Sequence, residues 1–230
     1  PGWELPSSGT IVSLHQIDSK EHSTTEEFYE ELKEDLARTH RYAIYKGLRI
    51  TISLNDREPE TVELRDPLLQ MPKSKEARKF GIIDADDVSE VSIVFDGIDF
   101  PAVLPITDPE TGEYARVTIR MINADVQILR EKLGLLDSTS SSAFARRLSP
   151  YGFSRDHQGF YLVRANREIA AGQTLGMFAK HHNLNYFHGE IRFPPCLDRW
   201  FGIEVNKSEY RVDNRLKERI LKSCNIIIQR

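Results

Sequence analysis

The chain has 230 residues, 40% of them apolar and 29% charged, with a formal net charge of −4. That length allows one large domain or two small ones, and the composition is that of an ordinary globular protein. The charge argues against a surface coated with nucleic acid, and no apolar run approaches the roughly 18 residues of a membrane-spanning helix. The charge is unevenly placed, acidic from Glu26 to Asp35 and basic from Arg199 to Arg230. Cys196 and Cys224 are the only cysteines and form no CxxC pair, so neither a zinc site nor a disulfide framework is indicated. A reducing, cytoplasmic setting is the default.

In chain order, Gly9-Thr10-Ile11-Val12-Ser13-Leu14 reads as a strand fed by the loop Pro6-Ser7-Ser8. Ser23-Thr24-Thr25-Glu26-Glu27 is a helix start, a hydroxyl cap followed by acids in the first turn. Phe28, Leu32 and Leu36 carry the helical spacing, which fades near His40. Leu48, Ile50, Ile52 and Leu54 alternate with polar residues as a half-buried strand, and Thr61 to Leu64 is a shorter one stopped by Asp66-Pro67. Met71 to Lys79 is basic and irregular and reads as a loop. Val88 to Phe95 and Phe100 to Ile106 bracket Asp96-Gly97 as a hairpin, and a long strand runs from Tyr114 to Ile122.

Ala124 to Leu135 and Phe144 to Leu148 read as helices separated by the polar connector Ser138 to Ser142. Phe160 to Val163 and Arg167 to Ile169 form a hairpin about Ala165-Asn166. Phe187 to Phe193 alternates as a strand ending at Pro194-Pro195, Leu197 to Phe201 makes a helical turn, Val212 to Ser223 is the last helix, and Ile226 to Ile228 is an edge strand. The pattern predicts an α+β fold of mostly antiparallel sheets with covering helices.

Few residues announce chemistry. His181 and His182 are adjacent and share no face, which disfavours metal ligation. Ser140-Ser141-Ser142 opens a helix, but the glycines that let a backbone close on phosphate are missing. Lys207 is different. It stands alone after Val205-Asn206, past a Pro-Pro strand end and before the last helix, where a lone cation either meets solvent or reaches an anionic partner.

The order of these segments resembles the transducer half of the GHKL ATPases, the superfamily of gyrase B, heat-shock chaperones, histidine kinases, MutL and the microrchidia proteins. "SSGTIVSL" (7–14) looks like the Gly-Thr strand that follows the ATP lid in that family. "FYEELKEDLARTHRYAIYKGLRITISLND" (28–56) is similar to the gyrase and microrchidia segment leading into the transducer, and "YLVRANREI" (161–169) to a MutL and microrchidia hairpin. "IRFPP" (191–195) followed by "IEVNKSEYRV" (203–212) resembles the MutL stretch whose lysine enters the neighbouring ATPase domain. Here Lys207 follows Asn206 directly, without the residues MutL places between them.

The resemblance implies a ribosomal S5 domain 2-like core, with residues 1–22 as the last strand of an ATPase domain and 23–230 as the transducer region, a division near 124–150 being left open. It implies Lys207 as a sensor of the γ-phosphate, with Lys217 and Lys222 as fallbacks, and Gly9 and Thr10 at the border of the adenine pocket. ATP and Mg²⁺ would belong to the intact protein. The asparagine box and the Asp-x-Gly-x-Gly adenine site are absent here, so the chain alone is expected to be inactive and to bind neither. The implied partners are an upstream ATPase domain of the same protein, a second copy in a homodimer, and a nucleic acid or protein client, with no membrane. The alternative is a non-catalytic interaction module that uses the basic C-terminal stretch for nucleic acid.

Overall fold

The computed structural model describes residues 9–15, 24–55, 57–80, 102–107, 114–135, 139–203, 212–218 and 220–221. Helix α1 (Thr25–Thr39) starts as the sequence predicts: the Thr24 side chain accepts from the Glu27 amide at 3.1 Å, and Glu26 and Glu27 sit at the positive end of the helix dipole. It closes at His40 and is followed by the short α2 (Arg41–Tyr45). Two brief strands, β1 (Thr51–Ile52) and β2 (Glu60–Thr61), pair antiparallel. Only this part of the longer alternating stretches is paired.

Residues 71–79, expected as a loop, instead lead into helix α3 (Lys75–Phe80). Ser74 supplies the cap, its hydroxyl accepting from the Ala77 amide at 3.0 Å, and Ala77 and Phe80 are fully buried three residues apart. The tertiary core thus recruits a helix from a stretch whose own apolar pattern is too short to reveal one.

A five-stranded sheet follows, built from β3 (Ala102–Thr107), β4 (Tyr114–Asn123), β5 (Gly159–Arg164), β6 (Arg167–Gln173) and β7 (Phe187–Phe193), in the order β3-β4-β7-β5-β6. All neighbours are antiparallel except β5 and β7. Between β4 and β5 lie α4 (Val126–Lys132) and α5 (Ser141–Leu148), capped by Asp125 and Ser140. The protein is therefore α+β, as the sequence predicts. The second half of the expected 88–106 hairpin is β3, which pairs with β4; its first half lies outside the described residues. The parallel pair β5 and β7 is joined through β6 and the 3₁₀ turn His182–Leu184, with no α-helix between them. The β5–β6 turn places Ala165 and Asn166 at φ 48° and 68°, the left-handed geometry that a two-residue hairpin turn requires.

Alternation along the strands gives the sheet two faces. One carries Val117, Ile119, Met121, Phe160, Leu162, Phe187, Ile191 and Phe193, covered by the 3₁₀ helix Pro195–Phe201 and by Leu216 and Ile220 of the last helical stretch. Phe193 stacks on Phe201 with ring centroids 3.6 Å apart. Gly189 lets this face close: a side chain there would meet the Phe160 ring at 2.5 and 2.7 Å. The other face is mixed. At one end Ile122 joins Leu69, Phe80, Leu129, Phe144 and Phe153 in a second apolar cluster. Tyr161, Glu168, His188 and Glu190 lie beside it, and against them rest α1 and α2.

Gly9 to His15 forms no strand, and Ile11, Val12 and Leu14 are 60–75% exposed. The segment carries β-branched residues suited to a strand, but no strand edge among the described residues pairs with it, and an unpaired strand leaves its backbone groups to water.

Candidate functional site

Gly9 and Thr10 are exposed on that unpaired segment. Lys207 and Lys222 lie outside the described residues, but both flanks of the Lys207 segment are defined. On one side Phe201 is buried, Gly202 turns the chain at φ 63°, and the Ile203 amide donates to the Asp198 carbonyl at 2.9 Å. On the other, Val212 packs on the sheet's apolar cluster, and the Asp213 amide donates to the Trp200 carbonyl at 2.8 Å. The 3₁₀ helix bearing both acceptors is tied to the end of β5 by Arg164, whose guanidinium grips Asp198 through two bonds of 2.7 Å. Lys217 is half-buried, its ammonium lying against Gly176.

A second constellation sits where α1 and α2 cross the sheet. Arg41 is fully buried and donates to Glu168 of β6, to Glu190 of β7 at 2.6 Å, and to the Arg38 carbonyl at 3.0 Å. Arg38 pairs with Glu168 at 3.0 Å, and the Tyr42 hydroxyl donates to Glu190. Arg192 lies over the Tyr42 ring at 5.3 Å. Register explains the meeting: Glu190 lies level with Tyr161 of β5, and Glu168 with Val163. Two carboxylates thus stand on one face of the sheet across the width of β5.

Burial works against the Arg41 charge, but the carboxylates of Glu168, Glu190 and Asp66 outweigh it and raise the pKa. Glu168 is pushed up by burial, with Arg41 and Arg38 holding it back. Burial and then Glu190 raise the Tyr42 phenol, keeping it a hydrogen-bond donor.

Asp66 and Glu76 are buried nearby. The Asp66 carboxylate accepts from the amides of Leu68, Gln70 and Met71 at 3.1, 2.7 and 2.7 Å, coiling the loop around itself, while Glu76 accepts from Arg65 and from the Asp66 amide. That loop holds His188: its Nδ1 donates to the Pro67 carbonyl at 2.6 Å, and its ring stacks on Phe153 at 5.1 Å.

Between α1 and this floor runs a cleft of about 430 Å³, walled by Glu30, Glu34 and Arg38 on one side and by Arg65, Tyr151 and His157 on the other. Burial and then Arg38 lower the His157 pKa, favouring the neutral imidazole. Its Nδ1 meets the Ser154 hydroxyl at 2.9 Å within a single turn, and its carbonyl accepts from the Tyr161 hydroxyl at 2.8 Å. The cleft's acids are committed: Glu34 to Arg65 and Lys75, Glu30 to Lys33, Asp35 to Arg38. No group of three or more His, Cys, Asp or Glu suited to a metal ion occurs among the described residues. His181 and His182 are exposed and touch ring to ring at 4.0 Å.

The charge cluster is not legible from the sequence. In the sequence Glu190 sits on the polar side of an ordinary alternating strand, with His188 and Arg192, and Glu168 directly follows Arg167, so both read as solvated positions. Arg41 carries no signal, because its partners lie 127 and 149 residues away. Comparison with known proteins gives no match to a family model, to a curated protein or to a solved structure.

Proposed function

We propose that this chain is the transducer region of a GHKL-type ATPase. It would couple ATP binding and hydrolysis in an upstream domain to conformational change, with a ribosomal S5 domain 2-like core and Lys207 as sensor of the γ-phosphate. The observation that carries this reading is the anchoring of the segment around Lys207. The chain leaves the packed 3₁₀ helix at Ile203 and is fastened to that same helix again at Asp213, so the intervening stretch is tethered at both ends to the sheet's core. The Arg164–Asp198 pair ties that support to β5. Fixing both flanks reduces the number of arrangements a reaching side chain must lose when it meets its target.

The chemistry belongs to the ammonium. A terminal phosphate gathers charge as it leaves, and Lys207 in hydrogen-bond contact would stabilise that charge most strongly where water is excluded. A cation carried on a separate region makes the contact conditional, so one interdomain arrangement is favoured while the phosphate is present. This chain would contribute Lys207, with Gly9 and Thr10 at the border of the nucleotide pocket; ATP and Mg²⁺ would be held upstream.

The test is steady-state ATP turnover of the full-length natural protein and its Lys207→Ala variant. Loss of one charge-assisted contact to the transferring group costs about 3 kcal/mol of transition-state stabilisation, roughly a hundredfold in rate. Thermal stability is expected to change little, since surface substitutions stay within about 0.5 kcal/mol. Unchanged turnover removes Lys207 from this role.

A further inference from the structure

The region spanning residues 24–62 is internally knit. The Tyr29 hydroxyl reaches the Ile52 carbonyl at 3.3 Å, Lys33 pairs with Glu60 at 3.1 Å, Leu48 donates to Ala43, and Val62 donates to Ile50. Its attachment to the rest of the molecule is of another kind. Neither apolar cluster includes a residue of this region among those described, either in its buried core or in the partly buried shell packed on it. Among the described residues, the ion pairs and hydrogen bonds across the boundary run from Arg41 to Glu168 and Glu190, from Arg38 to Glu168, from Tyr42 to Glu190, and from Glu34 to Arg65 and Lys75, and Arg192 lies over the Tyr42 ring. The cleft described above runs along α1 from Glu30 to Arg38.

We propose that residues 24–62 form an arm that docks on the sheet and leaves it as a unit, with Arg41 as the latch. An apolar seam would make separation expensive in proportion to the area exposed. A charged seam behaves differently. Opening returns Arg41, Glu168 and Glu190 to water, and that hydration offsets much of the lost pairing. The closed state is nevertheless specific, because one guanidinium must satisfy two carboxylates carried on different strands. The hinge falls after Val62, since Leu64 already belongs to the body: its carbonyl accepts from Lys75 at 2.8 Å. This inference is independent of any nucleotide.

Native-state hydrogen exchange on the whole chain tests it. In the wild type, amides of α1 and α2 should exchange at least about tenfold faster than those of β4, β5 and β7, through an opening with weaker denaturant dependence. Arg41→Gln leaves Glu168 and Glu190 without their shared partner, so arm amides should speed up by roughly a hundredfold or more while sheet amides stay within about threefold. If Arg41→Gln fails to fold, the wild-type pattern and the milder Arg38→Gln still decide. Arm and sheet amides exchanging together, with one denaturant dependence, would overturn the arm. Arm rates unmoved by Arg41→Gln would overturn the latch.

Discussion

His188 offers a quantitative test of how the mixed face of the sheet is built. Its Nδ1 contacts the Pro67 carbonyl, which only accepts, so the ring carries its proton there and is neutral. Nε2 is buried with no hydrogen-bond partner, and the ring is stacked on Phe153 and set edge-on to Tyr161. A second proton would place a charge in this apolar setting. Burial, with His157 adding to it, lowers the His188 pKa from 6.5 to about 4.

The sign follows from linkage. The unfolded chain takes up the proton near pH 6.5 and the folded chain only near 4, so this residue's contribution is complete above 6.5 and is lost as pH falls to 4. A depression of about 2.5 in pKa, at about 1.4 kcal/mol for each, makes the loss about 3 kcal/mol. Asp66, Glu76 and Glu168 work in the opposite direction, because burial raises their pKa values and makes the folded state the better proton acceptor as pH drops. The total pH profile therefore mixes both effects, and the informative quantity is the difference between wild type and His188→Gln.

Glutamine keeps a donor for Pro67 but does not titrate, and its lost stacking on Phe153 is a constant offset. Urea denaturation at steps between pH 7 and pH 4 should show the wild-type advantage shrinking by about 3 kcal/mol. A difference that stays constant with pH would refute the reasoning, and with it the neutral, buried imidazole.

Gly189→Ala should destabilise by about 1–3 kcal/mol, because the new methyl meets the Phe160 ring, itself wedged against Phe187; the denaturant midpoint measures this, and a Phe160→Leu background should reduce the loss. Asp66→Ala strips the acceptor from three backbone amides in a buried loop and should cost about 3 kcal/mol or more in the same assay, with Asp66→Asn milder because its carbonyl still accepts.

Local chemistry determined a good part of this protein without help. Thr24 followed by Glu26 and Glu27 starts α1 where the sequence says, because a cap and a dipole act within one turn. Ala165-Asn166 turns the hairpin, and the large residues of Phe187–Phe193 face one way, because both follow from backbone geometry over a few residues. The tertiary structure decided what depends on distant partners. Lys75–Phe80 becomes helical only because Ala77 and Phe80 find an apolar cluster drawn from remote segments. Gly9 to Leu14 has a strand's β-branched residues but pairs with none of the described strands, and pairing is a property of two segments. The parallel alignment of β5 with β7 sets Glu168 and Glu190 on one face, and Arg41 reaches both from more than a hundred residues away. Charges read singly along a chain look like solvated surface, and only the fold shows that these have been taken out of water together, where pairing becomes a condition of burial.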